Sequence, residues 1–273
     1  MSTPPTTPPT TPPSTRQGPF VPGTFTPDAG PAPRLRRIVA ATRAELGVQL
    51  RNGEQLLLAL VIPIAVLLAL TLTHVISLTE PRVQTVTPGV LTLAVLSSAF
   101  TGQAIGTAFD RRYGVLLRLA AAGLTRRSVF AGKLGSVLTV ATGQVVVVSV
   151  VAAVLGWRPA GTWLLAVPLI LLAVLAMTHL ALLLGGTLRA EAVLAVANIL
   201  WLVMVGIGGV IAPLASAPHA LAVIGGLTPV GALSDGLHAV LGAGEVPSLR
   251  VWFVLLVWWV VAQLAAERWF KWQ

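Results

Sequence analysis

Six uncharged, mostly apolar stretches run along this chain, each close to the length that crosses a bilayer. They are Leu56–Ile76, Val90–Phe109, Leu134–Leu155, Trp163–Leu184, Ala192–Pro213 and Leu249–Ala266, the last with Arg250 at its mouth. A hydrocarbon core about 30 Å thick takes about 20 residues of helix. Backbone donors and acceptors inside that core have no water to bond, so only helices and closed barrels can cross it. The runs are continuous rather than alternating, which argues against a barrel. They predict an all-α membrane protein with six transmembrane helices. Composition agrees: 55% of the 273 residues are hydrophobic and 10% charged, against about 25% charged in a soluble domain. The chain has no cysteine, so disulfides, thiol nucleophiles and thiolate metal sites are excluded.

Two regions precede the first apolar run. Residues 1–33 hold 11 of the 20 prolines, in runs such as Thr3-Pro4-Pro5-Thr6-Thr7-Pro8-Pro9. Such a segment lacks apolar surface to bury and reads as a disordered Pro/Thr-rich cytoplasmic tail. It lacks the apolar core of a signal peptide. It is expected to be separate from a membrane domain at 34–273. From Arg34 to Gln55, Leu35, Ile38, Val39, Thr42 and Leu46 recur at helical spacing with Arg36, Arg37, Arg43, Glu45 and Arg51 mostly between them. That pattern predicts an amphipathic interfacial helix on the cytoplasmic surface.

Charge sets the expected orientation. With the N-terminus inside, 15 of the 18 Lys and Arg fall on inner segments, leaving only Arg82, Arg158 and Arg250 outside. This asymmetry predicts a multi-pass protein of the cell membrane with both termini cytoplasmic. It also accounts for the net charge of +9 without nucleic acid. The tryptophans cluster at span ends, as interfacial anchors do. Two connections are long: a cytoplasmic one, Asp110–Lys133, and an outer one, Leu214–Ser248. The outer one is apolar but broken by Thr228-Pro229, and is expected to form a short re-entrant helical hairpin before the last span.

No Asp, Glu, Lys or Arg falls within the six expected span cores, so no catalytic constellation or carboxylate metal site is predicted there. His74 and His179 lie in different spans and His219 and His238 in the outer loop; packing or a single hydrogen bond is expected of each. No phosphate-binding G-x-x-x-x-G-K-[ST] run occurs, so no ATP site of that kind is expected on this chain. Gln103, Gln144 and Asn198 are the larger polar groups within spans. They would either bond between helices or line a path.

The segment Ala108–Lys133 carries the most information. Leu116, Leu119, Ala120 and Gly123 form one apolar stripe at helical spacing, surrounded by Arg111, Arg112, Arg118, Arg126 and Arg127. A short helix of this kind between two spans needs a cover, either lipid headgroups or a protein groove. Its order of Phe109, Asp110, Arg111, Arg112, Tyr113, Gly114, Leu116, Leu119, Thr125, Arg126, Gly132 and Lys133 resembles the ABC-2 type permease family. These are the membrane subunits of type V ABC exporters, and bacterial drug and antibiotic export permeases are the nearest in character. The likeness covers about residues 34–270. Two departures are Asp110 where that family more often has Glu, and Gly123-Leu124 where it usually turns at Pro.

The resemblance implies a transport subunit that is not itself an enzyme and holds no cofactor, with ATP and Mg on a partner ABC ATPase. It implies a second permease copy or a sister permease. It assigns ATPase coupling to a helix built on Asp110, Arg111, Arg112, Gly114, Leu116, Leu119, Gly123 and Arg126, with the leucines filling the ATPase groove. The cargo would be lipophilic or amphipathic and would move outward. Read from residues alone, an ion-coupled secondary carrier and a non-transporting scaffold or assembly factor remain open alternatives.

Overall fold

The computed structural model describes residues 33–51, 53–73 and 80–272. The Pro/Thr-rich tail up to residue 32 and His74 lie outside them. Residues 34–273 form one compact unit.

Regular structure among the described residues is entirely helical. An N-terminal helix α1 (Arg34–Arg51) leads into α2 (Gly53–Leu72). Then α3 (Arg82–Leu96) runs through a π-helical turn, Ser97–Gly102, into α4 (Gln103–Arg112). A short α5 (Val115–Ala121) precedes α6 (Arg126–Val154), α7 (Ala166–Thr187) and α8 (Ala190–Ile207). Two short helices follow, α9 (His219–Gly226) and α10 (Pro229–Leu237), the latter prolonged by a second π-helical turn, His238–Ala243. The last is α11 (Leu249–Trp269).

Five stretches are long and apolar enough to cross a membrane: Arg82–Arg112, Arg126–Val154, Trp163–Thr187, Ala190–Ile207 and Leu249–Trp269. Counting α9 with α10 as one bent span makes six. The described apolar part of α2, Ala59–Leu72, is shorter than a full span. The remainder of the first expected span, to Ile76, passes beyond the described residues.

The second and third spans start a turn or more earlier than hydropathy places them, at Arg82 rather than Val90 and at Arg126 rather than Leu134. A hydropathy reading stops at the first charge, whereas a helix continues wherever its backbone bonds close and its charges find partners. Arg82, only 6% exposed, donates from Nε to the Leu70 carbonyl at 3.0 Å. Lys133 is inside α6 for a different reason, given below.

The rod of α3, the π turn and α4 is the axis of the bundle. Its most apolar window is 83% buried, against 22–28% for α6, α8 and α11. It packs on α2, α6, α7, α8 and α10, and those helices, with α11 packed on α7, form a shell around it. The shell helices keep apolar outer faces, as at Val150, Leu202 and Phe253, which suits contact with lipid tails. Within the shell, α7 and α11 share the most extensive helix interface.

Local chemistry explains the helix starts. Thr125 caps α6 by accepting from the Ser128 amide at 3.3 Å, and Thr228 caps α10 from the Gly231 amide at 3.0 Å, with Pro229 in the first turn. Gly123 supplies the turn between α5 and α6 with φ +81°, a backbone that glycine adopts without steric cost and proline cannot adopt.

α1 lies along α6. A methyl group added at Gly132 would meet the Ala41 Cβ at 2.7 Å, so the missing side chain is what lets the two backbones approach. The face of α1 turned to α6 is therefore Ala41, Thr42 and Glu45, while Leu35, Val39 and Leu50 stay exposed.

The segment between α8 and α11 carries two short helices, α9 and the α10 unit, bent by 103° to each other. α10 is an interior element: Val230, Leu233, Ser234 and Leu237 are fully buried. The Ser234 hydroxyl donates to the Gly209 carbonyl at 2.7 Å.

Candidate functional site

Lys133 is the most deeply buried charge among the described residues, at 2% exposure. Its Nζ donates to Glu45 Oε1 and to Asp110 Oδ2, both at 2.6 Å. The cluster thus joins α1, α4 and α6 at one point. An isolated ammonium in a bundle would be very unfavourable, and two close carboxylates remove that penalty. This is why α6 can begin two turns before its apolar run. The expected span core from Leu134 stays free of charge, and the helix extends before it to take in a lysine paired from both sides. Gln49 extends the link between α1 and α6, donating to Ser136 Oγ at 3.1 Å.

Above this cluster a cavity of about 740 Å³ opens between α1, α2, the central rod, α6 and α8. Its walls are mainly apolar, with Ile62, Pro63, Ile105, Phe109, Val137 and Val140 among them. The π turn forms one side: Ser97, Ser98, Thr101 and Gly102 all line the space. A π turn widens the helix by one residue and often marks a functional position. Trp201 of α8 donates from Nε1 to Ser97 Oγ at 3.2 Å, tying the outer wall to the rod. Glu45 and Asp110 close the cavity at the cluster end.

The three in-span polar residues separate. Gln103 lines the cavity at 4% exposure, and its Oε1 has no hydrogen-bond partner among the described residues. Asn198 also lines it, donating from Nδ2 to Leu194 O at 2.9 Å. Gln144 does not reach the cavity. Its Nε2 donates to the Ala59 carbonyl at 3.0 Å and so joins α6 to α2.

The α4–α6 segment is held to the bundle along its length. Asp110 points inward to Lys133. Arg111 donates to the carbonyls of Gly186, at 2.6 Å, and of Leu188. Arg112 pairs with Glu191. Gly114, at φ +70°, makes the corner before α5. Arg126 donates to the Glu267 carbonyl at 3.0 Å.

Leu116 and Leu119 of the apolar stripe turn inward. Leu116 is fully buried with Val129, Phe130, Leu182, Ala266 and Phe270, and Leu119 packs on the same group. The outward face offers Tyr113, Leu117 and Gly123 instead. A groove of about 440 Å³ runs beside it, lined by Arg111, Arg112, Leu117, Arg189, Glu191 and Trp272.

His179, 7% exposed, places Nδ1 2.7 Å from Leu175 O and meets the Phe130 ring edge-on. His238 lies between the carbonyls of Ser234 and Thr85, at 2.7 and 3.0 Å.

Sequence reasoning missed Glu45 and Lys133 as site residues. The signal for Lys133 was a cation with Phe130, Leu134 and Val137 at its helical neighbours; such a lysine needs a partner. No comparable signal marked Glu45, which sits among the charges of an amphipathic helix.

The ABC-2 type transporter family model matches residues 36–241, from the first turn of α1 to the second π turn. The chain belongs to the ABC-2 type transporter family. It is a multi-pass membrane protein and the permease subunit of an ABC transporter, not a catalyst. Members of this family pair with an ABC ATPase. The match includes the whole of the Lys133 cluster, the cavity and α5. No curated protein matches the chain.

Proposed function

We propose that this permease is the membrane half of a type V ABC exporter that moves a lipophilic or amphipathic compound, such as a drug, an antibiotic or a lipid-like molecule, out of the cell. The observation that carries this reading is the apolar cavity at the π-helical break of the central rod. Its floor, the Lys133 cluster, connects directly to the α4–α5 corner. An apolar pocket with a few polar groups suits a lipophilic guest and gives little to a hydrated ion.

The coupling surface is the exposed side of α5 with the adjoining basic groove, facing the cytoplasm. Tyr113, Gly114, Leu117 and Gly123 meet the ATPase. Leu116 and Leu119 hold α5 to the bundle, so that a push on the helix is transmitted rather than absorbed. Asp110, through Lys133, passes the displacement to α1, while Arg111, Arg112 and Arg126 fix the loop to α7, α8 and α11. ATP binding on the partner must favour one arrangement of these parts over the other for work to be done on the cavity. A second copy of the chain or a sister permease completes the pathway, and the α9–α10 pair acts as a re-entrant hairpin at its outer end.

In inverted membrane vesicles carrying the chain and its ATPase, ATP should drive uptake of a lipophilic fluorescent compound. Leu117→Asp should abolish that uptake at an unchanged membrane level. Uptake retained in the variant would contradict coupling through α5, and ATP-driven release from the vesicle interior would reverse the direction. Leu117 is a cleaner probe than Leu119, because a charge at Leu119 would also disturb the buried group around Leu116.

A further inference from the structure

The cavity has a charge polarity that its apolar walls conceal. Two carboxylates, Glu45 and Asp110, line it, and no Lys, Arg or His does among the described residues. Lys133 reaches both carboxylates but brings one positive charge against two negative ones. As ionised groups the three leave one negative charge at the cavity floor. Both side chains retain about a quarter of their exposure, 24% for Glu45 and 26% for Asp110, so the surplus charge is open to a guest. In a chain of net charge +9, an acidic floor under an apolar chamber is a local reversal of sign.

A second feature of the walls points the same way. Gln103, 96% buried, carries an Oε1 without a partner, and Thr101 Oγ1 is also unpartnered among the described residues. A buried acceptor left unbonded is unfavourable. Both atoms are closed off from solvent in this arrangement, so a rotation of either side chain would be needed to offer it to a donor in the cavity.

We infer that the cavity is selective for cationic amphiphiles: an apolar or aromatic body between α2, α6 and the π turn, and a protonated amine toward Glu45 and Asp110. The inference rests on the reading of this cavity as the cargo path and adds the charge of the cargo. Attraction to the surplus carboxylate would be strengthened by the apolar surroundings, where opposite charges interact more strongly than in water. An anionic guest would be repelled by the surplus negative charge and rejected.

The test uses dansylcadaverine, a primary ammonium with an aromatic body, and its neutral N-acetyl derivative. Each is titrated by fluorescence into the full-length chain in lipid nanodiscs, with empty discs subtracted. The amine should bind saturably and about tenfold or more tightly than the acetylated form. Glu45→Gln should remove most of that difference while leaving the neutral probe's affinity unchanged. Gly106→Phe is the blocking control. A Cβ at Gly106 meets nothing within 4 Å and Gly106 lines the cavity, so a ring placed there should occupy the space and abolish binding of both probes.

Equal affinities for the two probes, both lost in Gly106→Phe, would overturn the charge selectivity and leave the cargo path intact. Binding that survives Gly106→Phe would overturn the site itself. Neither result bears on ATPase association, which is tested separately on the complex.

Discussion

Lys133 concentrates the energetics of this protein in one side chain. Removing one member of a buried ion pair leaves an uncompensated charge and costs about 3–5 kcal/mol, whereas replacing the whole set by neutral groups of similar size is often tolerated. Lys133→Met should therefore lower the thermal unfolding midpoint substantially. The triple variant Glu45→Gln, Asp110→Asn, Lys133→Met should recover most of that loss. Tryptophan fluorescence on the detergent-solubilised chain, which has eight tryptophans, reports both. Equal destabilisation by the single and triple variants would contradict a charge-based role and leave only packing. This cluster was not legible in the sequence because its partners are far apart along the chain, 23 residues for Asp110 and 88 for Glu45. Periodicity reads near neighbours, and only the fold brings those three residues together.

At the scale of elements, α1 and α5 follow different logic although both read as amphipathic helices. The stripe Leu116, Leu119, Ala120 and Gly123 was visible as a helical face in need of cover. What covers Leu116 and Leu119 was not visible, because Phe130, Leu182 and Ala266 come from three other helices and Phe270 follows the last of them. For α1, the expected apolar face is split: Ile38, Thr42 and Leu46 are half-buried while Leu35 and Val39 are exposed.

The close approach of α1 to α6 depends on Gly132. Gly132→Val should push α1 outward, breaking the Lys133–Glu45 contact and leaving the spans in place. Limited trypsin digestion should then cut at Arg36, Arg37 or Arg43 several-fold faster than in the parent, with the remaining chain still protected. Unchanged cleavage would contradict this seating of α1. A milder change, Thr125→Ala, removes the α6 cap and should cost about 1 kcal/mol of stability in the same unfolding assay.

At the scale of the whole molecule, the apolar runs carried the helical class, and five of the expected spans have direct counterparts. Span length is set by the bilayer and recorded locally, so it can be read residue by residue. The cavity was not legible, since it arises from a π turn in one helix facing gaps between four others. The buried setting of α10 was equally hidden, because a short apolar helix looks the same whether it meets lipid or protein.

Orientation is open to a clean measurement because the chain has no cysteine. With both termini inside, Glu245→Cys should react with an impermeant maleimide in intact cells and Ala122→Cys only after permeabilisation. The reverse pattern would overturn the assigned sidedness.

The central claim is that this permease moves cargo because an ATPase works on it through α5. Gentle extraction of the tagged chain from its native membrane, followed by ATP hydrolysis on the purified material, addresses that claim most directly. A nucleotide-binding subunit should come down with the parent chain, hydrolyse ATP, and be lost with Leu117→Asp. A chain that purifies alone, without associated hydrolysis and with the same result for parent and variant, would contradict it.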